Sequence, residues 1–585
     1  MRKTVLLFLF FLLILGIFRA LTPQLGIVDD AWITYTYARN LAAGHGIVFN
    51  PGERVEGCTA FLHMVLLAPF SLVTERLDQV ATTFNILAWA LVALLTWFFI
   101  RRRDGGPTGV LGLFAVAFVL IGFSGLAWAY SGMEMSLVAL AWIGAVRLHL
   151  WERETGRLPW LTALVTVMAG LLRPDGILLA IPLALSIWWE QPKKFAWGKA
   201  IVYSAIVLGL FGGYWLWRWH YFGYPLPNTF YAKVTKVSAS LTWTGVLYLM
   251  RWFFGMVVPL LGLVALLYAR RERPAPRWVK VMLGLVTTSI VYCLLVGADF
   301  FSYHRFLLPS YAPMVLVAWW YGVAALAKRR RLHGPSGYSR RIKLVTAFFL
   351  LGLFNLIYFI GRYPPQGLVH GFVVLNTKDW AYVAALLGRH TPPDAKIATV
   401  PIGAMGYFSH RYILDLVGLT DVHIAHAQVP TGKAITGHEK YDIDYVMERR
   451  PELIFSWPGL MPEGDAGLIK WVMSNIGAEA QKKLMIDPRT AREYQFVWLL
   501  TDDDRPIRRG SVERWQGLKA GYWTAQEPAH GVIGLIRRDL LGQPGYESFL
   551  PLEKADADWL WGTFTLTTLE EFHRRIFALQ HGKGK

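Results

Sequence analysis

A chain of 585 residues in which 54% are hydrophobic and 17% are charged does not have the composition of a soluble protein, because soluble domains carry about 25% charged residues. The net charge of +19 would suit a nucleic-acid-binding protein. The Lys and Arg residues, however, gather in short clusters between apolar segments, as in the cytoplasmic loops of membrane proteins. The sequence therefore predicts an α-helical polytopic membrane protein with membrane lipids as partners and no nucleic-acid partner.

Apolar segments recur from the N-terminus to residue 361. About 20 apolar residues are needed to cross ~30 Å of hydrocarbon as a helix. The first segment has no small-residue cleavage site after it, so we predict an uncleaved span. The shorter segment 59–73 is predicted to be a juxtamembrane or re-entrant helix. We predict about eleven transmembrane helices, at 5–21, 80–100, 108–127, 135–150, 158–172, 177–190, 198–217, 242–268, 278–297, 306–327 and 343–361.

The positively charged clusters predict the topology, because Lys and Arg are enriched in cytoplasmic loops. They place the N-terminus inside and the C-terminus outside. The clusters are Arg101-Arg102-Arg103, Lys193-Lys194, Arg270-Arg271 with Arg273 and Arg277, and Lys328-Arg329-Arg330-Arg331 with Arg340-Arg341. The charges close to span ends then all fall on the outer face, which predicts one outward-facing site built from several loops. These charges are Asp29, Asp30, Glu134, Arg173, Asp175, Asp299 and Arg305.

The chain changes character after the last predicted span. Residues 362–585 have ordinary polar content, and strand-like runs at 396–400, 411–416, 452–457 and 494–500 alternate with helix-like stretches at 440–450 and 467–476. Such alternation is typical of an α/β domain. The sequence predicts two domains: a transmembrane catalytic module at 1–361, with its first outer loop at 22–79, and an extracytoplasmic α/β domain at 362–585.

The first outer loop carries two adjacent acids, Asp29 and Asp30, before a predicted helix at 31–43. An Asp at a helix start is a common N-cap. Adjacent side chains point in different directions, so we expect one acid to cap the helix and the other to face a cavity. A carboxylate at a dry membrane boundary can act as a general base towards a hydroxyl group, because burial tunes its pKa.

Cations on the predicted outer face could hold a departing phosphate group, as glycosyl transfer from a phosphate carrier requires. For any single one of them, contact with lipid headgroups or water is the simpler alternative. The candidates are Arg39, Arg54, Arg173, Lys233, Lys236 and Arg305.

Long stretches of the sequence resemble GT-C type bacterial glycosyltransferases, polytopic enzymes that take a sugar from a polyprenyl-phosphate carrier. The most similar branch contains the mycobacterial terminal β-1,2-arabinofuranosyltransferases. The resemblance covers most of the chain. It rests on DDAWIT (29–34), YARNL (37–41), GHG (44–46), NPGERVEG (50–57), GME (132–134), RPDG (173–176), PNTFYAK (227–233), residues 299–309, GY (406–407), DLVGLTD (415–421) and GHEK (437–440).

This resemblance implies a catalytic base at Asp29 or Asp30, and it favours Asp29 because the first acid is the usual one in relatives. Together with the charge pattern, it implies that Arg305, Lys233 and Arg173 bind the donor phosphate. The other residues expected to contact substrate are Tyr37, Arg39, Glu134, Asp175, Asn228, Tyr231, Asp299, His304, His438 and Lys440.

The implied partners are a polyprenyl-phosphate-linked sugar, with a pentose such as arabinofuranose as one candidate, and an envelope glycan, lipid or protein acceptor. The implied location is a bacterial inner membrane, with the C-terminal domain periplasmic or extracellular. No G-x-G-x-x-G or P-loop motif is present, which fits a donor other than a nucleotide sugar.

No metal site is expected, because the spacing of His410, His423 and His426 fits no firm pattern. A divalent cation remains an alternative to the absence of any cofactor. The rival function is a transporter or flippase of lipid-linked envelope precursors, which would also have many spans and charges at membrane depth. Paired repeats with broken helices would indicate a transporter, and the sequence shows none.

Overall fold

The computed structural model describes residues 2–22, 25–101, 109–189, 193–233, 239–255, 275–297, 299, 301, 303–333, 365–429, 438–460, 479–500 and 531–564. The predicted span at 343–361 and the predicted helix at 467–476 lie outside these residues, as do the clusters at 270–273 and 340–341. The described chain divides into two compact units. A helical unit comprises Met1–Ile27, Thr59–Pro225 and Val237–His370, and a C-terminal unit comprises Val28–Cys58, Leu226–Lys236 and Gly371–Lys585.

The helices of the described residues are numbered in chain order. Up to residue 333 they are α1 (Arg2–Leu21), α2 (Asp29–Ala42), α3 (Phe61–Ser71), α4 (Leu77–Arg101), α5 (Gly109–Ile121), α6 (Phe123–Tyr130), α7 (Met135–Glu154), α8 (Trp160–Leu172), α9 (Ala180–Trp188), α10 (Lys193–Phe222), α11 (Asn228–Lys233), α12 (Ala239–Gly255), α13 (Arg277–Val296) and α14 (Tyr311–His333). The later ones are α15 (Pro365–Arg389), α16 (Ile402–Ser409), α17 (Val422–Ala425), α18 (Ile443–Glu448), α19 (Glu479–Ile486), α20 (Pro488–Glu493) and α21 (Lys554–Phe564). Short 3-10 helices lie at Pro174–Leu179, Arg305–Ser310 and Arg538–Leu540.

The described residues include six helical segments that are long and apolar enough to cross a membrane. They are Arg2–Leu21, Leu77–Arg101, Gly112–Tyr130, Trp197–Phe222, Arg277–Val296 and Arg305–Ala324. Each coincides with a predicted span, so the protein is a polytopic membrane protein, as predicted.

The remaining predicted spans are less clear from length and composition. The spans at 158–172 and 177–190 coincide with apolar helices that are shorter than a typical span, as does the predicted re-entrant segment at 59–73. The span at 135–150 falls on α7, and the one at 242–268 is described only to residue 255. The total of eleven spans and the in–out orientation therefore stay predictions.

Helix α4 packs on α7, which packs in turn on α8, while α13 packs on both α12 and α14. The interior of this unit is rich in fully buried tryptophans, among them Trp89, Trp128 and Trp278. Gly125 lets α6 approach the indole ring of Trp89, because a Cβ atom at this position would overlap the ring. The apolar faces of the helices are thereby packed against one another, which is how membrane helices associate.

The C-terminal unit is built on one mixed sheet of six strands. The strands are β1 (Lys396–Thr399), β2 (Tyr412–Asp415), β3 (Leu453–Ile454), β4 (Tyr494–Leu500), β5 (Gly531–Arg537) and β6 (Phe549–Pro551), in the order β2-β1-β3-β5-β4-β6. The strands β2, β1 and β3 are parallel, and the other pairs are antiparallel. The predicted α/β domain is confirmed, and its four predicted strands are β1 to β4. The sequence analysis missed β5 and β6.

Two segments from earlier in the chain belong to this C-terminal unit: residues 28–58, which include α2, and residues 226–236, which include α11. We had grouped both with the transmembrane module at 1–361. The predicted boundary at 361/362 falls in residues outside those described, so it stays a prediction.

The edge strand β2 is covered by a side chain of the first loop. The Asn50 amide donates to the carbonyl of Ile413 (2.9 Å) and its oxygen accepts from the N–H of the same residue (3.1 Å). Asn50 is buried. It thus satisfies both backbone groups of a strand residue that has no neighbouring strand on that side.

We expect Asn50→Ala to increase amide hydrogen exchange in residues 412–415, because two buried backbone groups lose their partners at a cost of about 1–3 kcal/mol each. Exchange measured by mass spectrometry on detergent-purified protein checks this. Asn50→Asp keeps the acceptor for the Ile413 N–H group but not the donor, so it should have an intermediate effect. Unchanged exchange in Asn50→Ala would show that this contact does not hold the edge strand.

Candidate functional site

The acidic pair lies at the very start of α2. The helix begins at Asp29 rather than at the predicted residue 31, and its N-cap residue is Val28, which has an extended backbone. The Val28 side chain makes no capping hydrogen bond. Neither acid occupies the N-cap position of its own helix, so the expectation that one of them is its N-cap residue is wrong.

Asp29 instead binds the N-terminus of a different helix. Its two carboxylate oxygens accept hydrogen bonds from the backbone N–H groups of Gly403 (3.0 Å) and Ala404 (2.8 Å), in the first turn of α16. Burial raises the pKa of the Asp29 carboxyl to about 7, although these two hydrogen bonds lower it, and nearby Asp30 raises it further. Asp29 is 8% exposed, whereas Asp30 is partly exposed.

Arg39 lies ten residues further along α2, near the other end of α16. Its guanidinium donates to the carbonyl of Tyr407 (2.6 Å) and lies 3.2 Å from Nδ1 of His410. It also lies over the Tyr407 ring, 4.9 Å from the centroid. The α16 helix ends at Ser409, and His410 follows it in a left-handed conformation with φ 54°. Arg39 thus places a positive charge where helix carbonyls lack partners.

Two other predicted substrate-binding residues hold loops together in this unit. The Tyr37 hydroxyl donates to the carbonyl of Val55 (2.6 Å) and accepts from the N–H of Gly57 (2.8 Å). The Asn228 amide donates to the carbonyl of Gly418 (2.8 Å) and lies within hydrogen-bonding distance of two further carbonyls of the same turn. Both side chains are buried. Their contact with a substrate stays a prediction.

Tyr231, Lys233, His438 and Lys440 also lie in the C-terminal unit. The Tyr231 ring packs on His426 with 4.4 Å between centroids, and Lys233 ends the same short helix, α11. The buried Lys440 ammonium donates to the carbonyl of Ala425 (2.6 Å). Partly buried His438 lies two residues before Lys440.

The helical unit holds the other predicted residues, and it brings five charges together. Arg173 connects α8 to the following 3-10 helix, and it pairs with Glu134 (3.0 Å) and Asp175 (2.6 Å). The three side chains are between 2% and 13% exposed. Asp299, the partner of Arg305, also acts electrostatically on Arg173. The ion pairs of Arg173 and the ion pair of Arg305 therefore belong to one cluster.

Arg305 pairs with Asp299 at 2.7 Å, and these side chains are 7% and 5% exposed. The guanidinium groups of Arg305 and Arg173 lie over the same ring, that of Phe306, each 5.6 Å from its centroid. An arginine over an aromatic face is attracted by the ring quadrupole. The cluster therefore contains two guanidinium groups and three carboxylates.

A strained turn leads into Arg305. Tyr303 and His304 both have positive φ angles, 68° and 56°, which non-glycine residues rarely adopt. The carbonyl of Tyr303 accepts from the Ser124 hydroxyl and from Nε1 of Trp128 (3.1 Å). Burial lowers the pKa of His304 to about 4, helped by Arg251. Such strain is typical of functional sites, where surrounding contacts maintain it.

Sequence reasoning missed two buried ionisable residues, Asp415 and His63. Asp415, the buried last residue of β2, accepts from the N–H groups of Val417 (2.9 Å) and Thr420 (2.7 Å), and burial raises its pKa to about 6. His63 in α3 is fully buried, and neither ring nitrogen has a hydrogen-bond partner among the described residues. An Asp followed by Gly three residues later could have indicated the turn, whereas nothing local marks His63.

Metal ligands are not grouped in the part of the chain that the structure describes: no three or more His, Cys, Asp or Glu side chains are arranged to hold an ion there. The His residues discounted as zinc ligands have other partners. His423 bonds to Asp442 at 2.8 Å, and His426 bonds to the carbonyl of Val422 at 2.9 Å.

Comparison with known proteins identifies bacterial relatives. A family model described as "Domain of unknown function (DUF8728)" matches residues 375–514. A terminal β-(1→2)-arabinofuranosyltransferase of Corynebacterium glutamicum is 26% identical over 50% of this chain and 47% of its own length. One from Mycobacterium tuberculosis is 29% identical over 46% of this chain and 47% of its own length. The match spans about half the length of each relative. The chain is a distant homologue of these proteins, which confirms the family resemblance, over about half of this chain rather than most of it.

Solved structures of an Archaeoglobus fulgidus oligosaccharyltransferase are also similar. One, tethered to an acceptor peptide, is 13% identical with a TM-score of 0.46, over 93% of this chain and 76% of that chain. Another, the protein AglB in complex with an inhibitory peptide and a dolichol-phosphate, is 12% identical with a TM-score of 0.47, over 85% and 73%. Likenesses at this level support no conclusion about the present protein.

We expect Asp299→Asn to lower the stability of the helical unit by about 3 kcal/mol, because it removes the charge that pairs with the buried Arg305. Thermal unfolding in detergent measures this. The control is Asp78→Asn, which breaks a pair with Arg76 whose side chains are 18% and 63% exposed. An exposed pair contributes at most about 1 kcal/mol. Equal shifts in the two variants would contradict a stabilising role for the buried pair.

Proposed function

We propose that this protein is a membrane glycosyltransferase of the GT-C type, which transfers a sugar from a polyprenyl-phosphate carrier to a hydroxyl group of an envelope glycan, lipid or protein. The observation that carries the proposal is the distant homology to two terminal β-(1→2)-arabinofuranosyltransferases. The membrane-spanning helices fit a lipid-linked donor. A pentose such as arabinofuranose is the sugar that the relatives favour, and the periplasmic face of a bacterial inner membrane is the proposed location.

In the proposed reaction, a carboxylate of the Asp29–Asp30 pair takes the proton of the acceptor hydroxyl. The hydroxyl oxygen then forms a bond to the anomeric carbon of the sugar. The bond between that carbon and the phosphate oxygen breaks, and polyprenyl phosphate leaves with the electron pair. Deprotonation by such a base contributes about 10²–10⁴ in rate.

The buried charge cluster supports a role in binding the donor phosphate. Guanidinium groups bind phosphate oxygens in a bidentate way, and Arg305 and Arg173 are held with little exposure to water. Both already pair with carboxylates, which outnumber them in the cluster. A phosphate bound here would therefore share the N–H donors of the two arginines with these carboxylates. Lys233 remains the third proposed phosphate ligand.

A reconstituted assay tests the proposal against the rival function of a flippase. The purified protein is placed in liposomes with a radiolabelled polyprenyl-phosphate pentose and an envelope glycan acceptor. We expect label in the acceptor fraction together with release of polyprenyl phosphate. Movement of intact donor between leaflets with no label in the acceptor would overturn the transferase proposal in favour of a flippase.

For the donor site, we expect Arg305→Lys to raise the KM for the lipid-linked donor at least about tenfold while the KM for the acceptor stays unchanged. Lysine keeps the charge but cannot form the bidentate contact with phosphate. Donor titration with the purified enzyme measures the effect. Arg76→Lys is the matched control, because Arg76 is 63% exposed and its pair with Asp78 lies at the surface. An unchanged donor KM in Arg305→Lys would remove this residue from the donor site.

A further inference from the structure

Helices α2 and α16 lie side by side in the C-terminal unit and run in the same direction. Asp29, the first residue of α2, meets the first turn of α16, and Arg39, in the last turn of α2, meets its last turn. Ten residues separate Asp29 from Arg39, which corresponds to about 15 Å of helix, and the eight residues of α16 extend for about 12 Å. The acid and the arginine are thus spaced to contact both ends of α16.

The two ends of α16 carry opposite partial charges, and the charges of Asp29 and Arg39 are complementary to them. The first N–H groups of a helix lack internal partners and carry partial positive charge, while the last carbonyls carry partial negative charge. The N-cap of α16 is Pro401, whose side chain makes no capping hydrogen bond. Both donors of Gly403 and Ala404 are satisfied by Asp29, although it is more than 370 residues away in the chain.

The surfaces between the two ends are in close contact. The Trp32 ring packs against Tyr407 and Phe408, with centroids 4.8 Å and 4.5 Å apart. Gly403 faces the backbone of Asp29 so closely that a Cβ atom would overlap it, and a Cβ atom on Gly406 would lie 2.5 Å from the Phe49 ring. The absence of a side chain at Gly403 allows α2 to approach α16, Gly406 makes room for Phe49 of the loop that follows α2, and the aromatic packing of Trp32 fixes the register of the two helices.

We propose that Asp29 and Arg39 are positioning residues, a clamp that fixes α2 along α16, and that Asp30 is the residue of the acidic pair that takes the proton from the acceptor. The role given to Asp30 rests on the proposed glycosyl transfer, whereas the clamp does not. This reverses the assignment that the sequence resemblance favours, in which the first acid is the base.

The geometry of Asp29 argues against a role as base. Each of its two oxygens already accepts a backbone N–H group. If one oxygen took a proton it would become a donor facing another donor, so the reaction would break a hydrogen bond at the start of α16. Its pKa of about 7 would suit a general base, but this value reflects burial, which also limits access to an acceptor.

Asp30 is placed differently on the same helix. Successive residues of an α-helix point about 100° apart, so Asp30 does not share the direction of Asp29, and it is partly exposed. Because α2 is clamped at both ends, the position of Asp30 is set by the contacts of Asp29, Trp32 and Arg39. Holding a catalytic group in place is the usual task of the residues around it.

The test compares full-length variants in two measurements, hydrogen exchange of residues 402–409 and the pH dependence of kcat/KM. We expect Asp29→Asn and Arg39→Gln to raise exchange in this segment at least about tenfold and to lower kcat by a similar factor. The acid limb of the pH profile should persist in both variants. We expect Asp30→Asn to lower kcat by about 10²–10⁴, with exchange unchanged and the acid limb lost. The control for Arg39→Gln is Arg492→Gln, at a residue whose side chain is 72% exposed.

Each result supports or overturns a distinct part of the inference. Loss of the acid limb in Asp29→Asn with unchanged exchange would make Asp29 the base and overturn the assignment. Unchanged exchange in Asp29→Asn and Arg39→Gln would overturn the clamp. If the wild-type protein transfers no sugar, the proposed function fails, and the exchange measurement still decides whether the clamp exists.

Discussion

The pairing of the Asp29 carboxylate with the first turn of α16 is the interaction on which the structure of the first loop depends. Burying a carboxylate without hydrogen-bond donors costs several kcal/mol. Burying a backbone N–H group without an acceptor is also unfavourable, but it costs less. Here each satisfies the other. The first-loop contacts of Arg39, Asn50 and Tyr37 have the same character, because each connects a buried or partly buried side chain to backbone groups.

In the helical unit, the main electrostatic feature is a cluster of charged side chains with little exposure to water. The five charges of its cluster attract one another strongly in a medium of low dielectric constant, but removing them from water is costly. With three carboxylates and two guanidinium groups, the cluster is not neutral when all are ionised. Buried ion pairs are weak evidence for stability, whereas ionisable residues at membrane depth are typical of functional sites.

The sequence could predict those elements whose signal is local. The apolar runs indicate the six membrane-spanning candidates, and short strand-like apolar runs indicate β1 to β4. Strand β5 was missed because Gly531 and Gly534 interrupt its pattern, and β6 has only three residues. The contacts of Asp29 with α16 could not be predicted, since their partners are backbone groups, which carry no sequence signal. The sequence analysis expects seven charges near span ends to form one site. Residues 134, 173, 175, 299 and 305 lie together in the helical unit, whereas Asp29 and Asp30 belong to the C-terminal unit, so a site shared by all seven stays a prediction.

The acidic pair shows why a motif and a catalytic role are different kinds of information. Two adjacent acids on a helix cannot face the same partner, so a pair in which both are needed implies two tasks. One acid that caps a distant helix and one that meets the substrate would both be intolerant of substitution, and the motif would look the same in either order. The hydrogen bonds of Asp29 bear on this order, because they give Asp29 a structural task at the start of α16. A resemblance to relatives cannot by itself reveal which acid performs the chemistry.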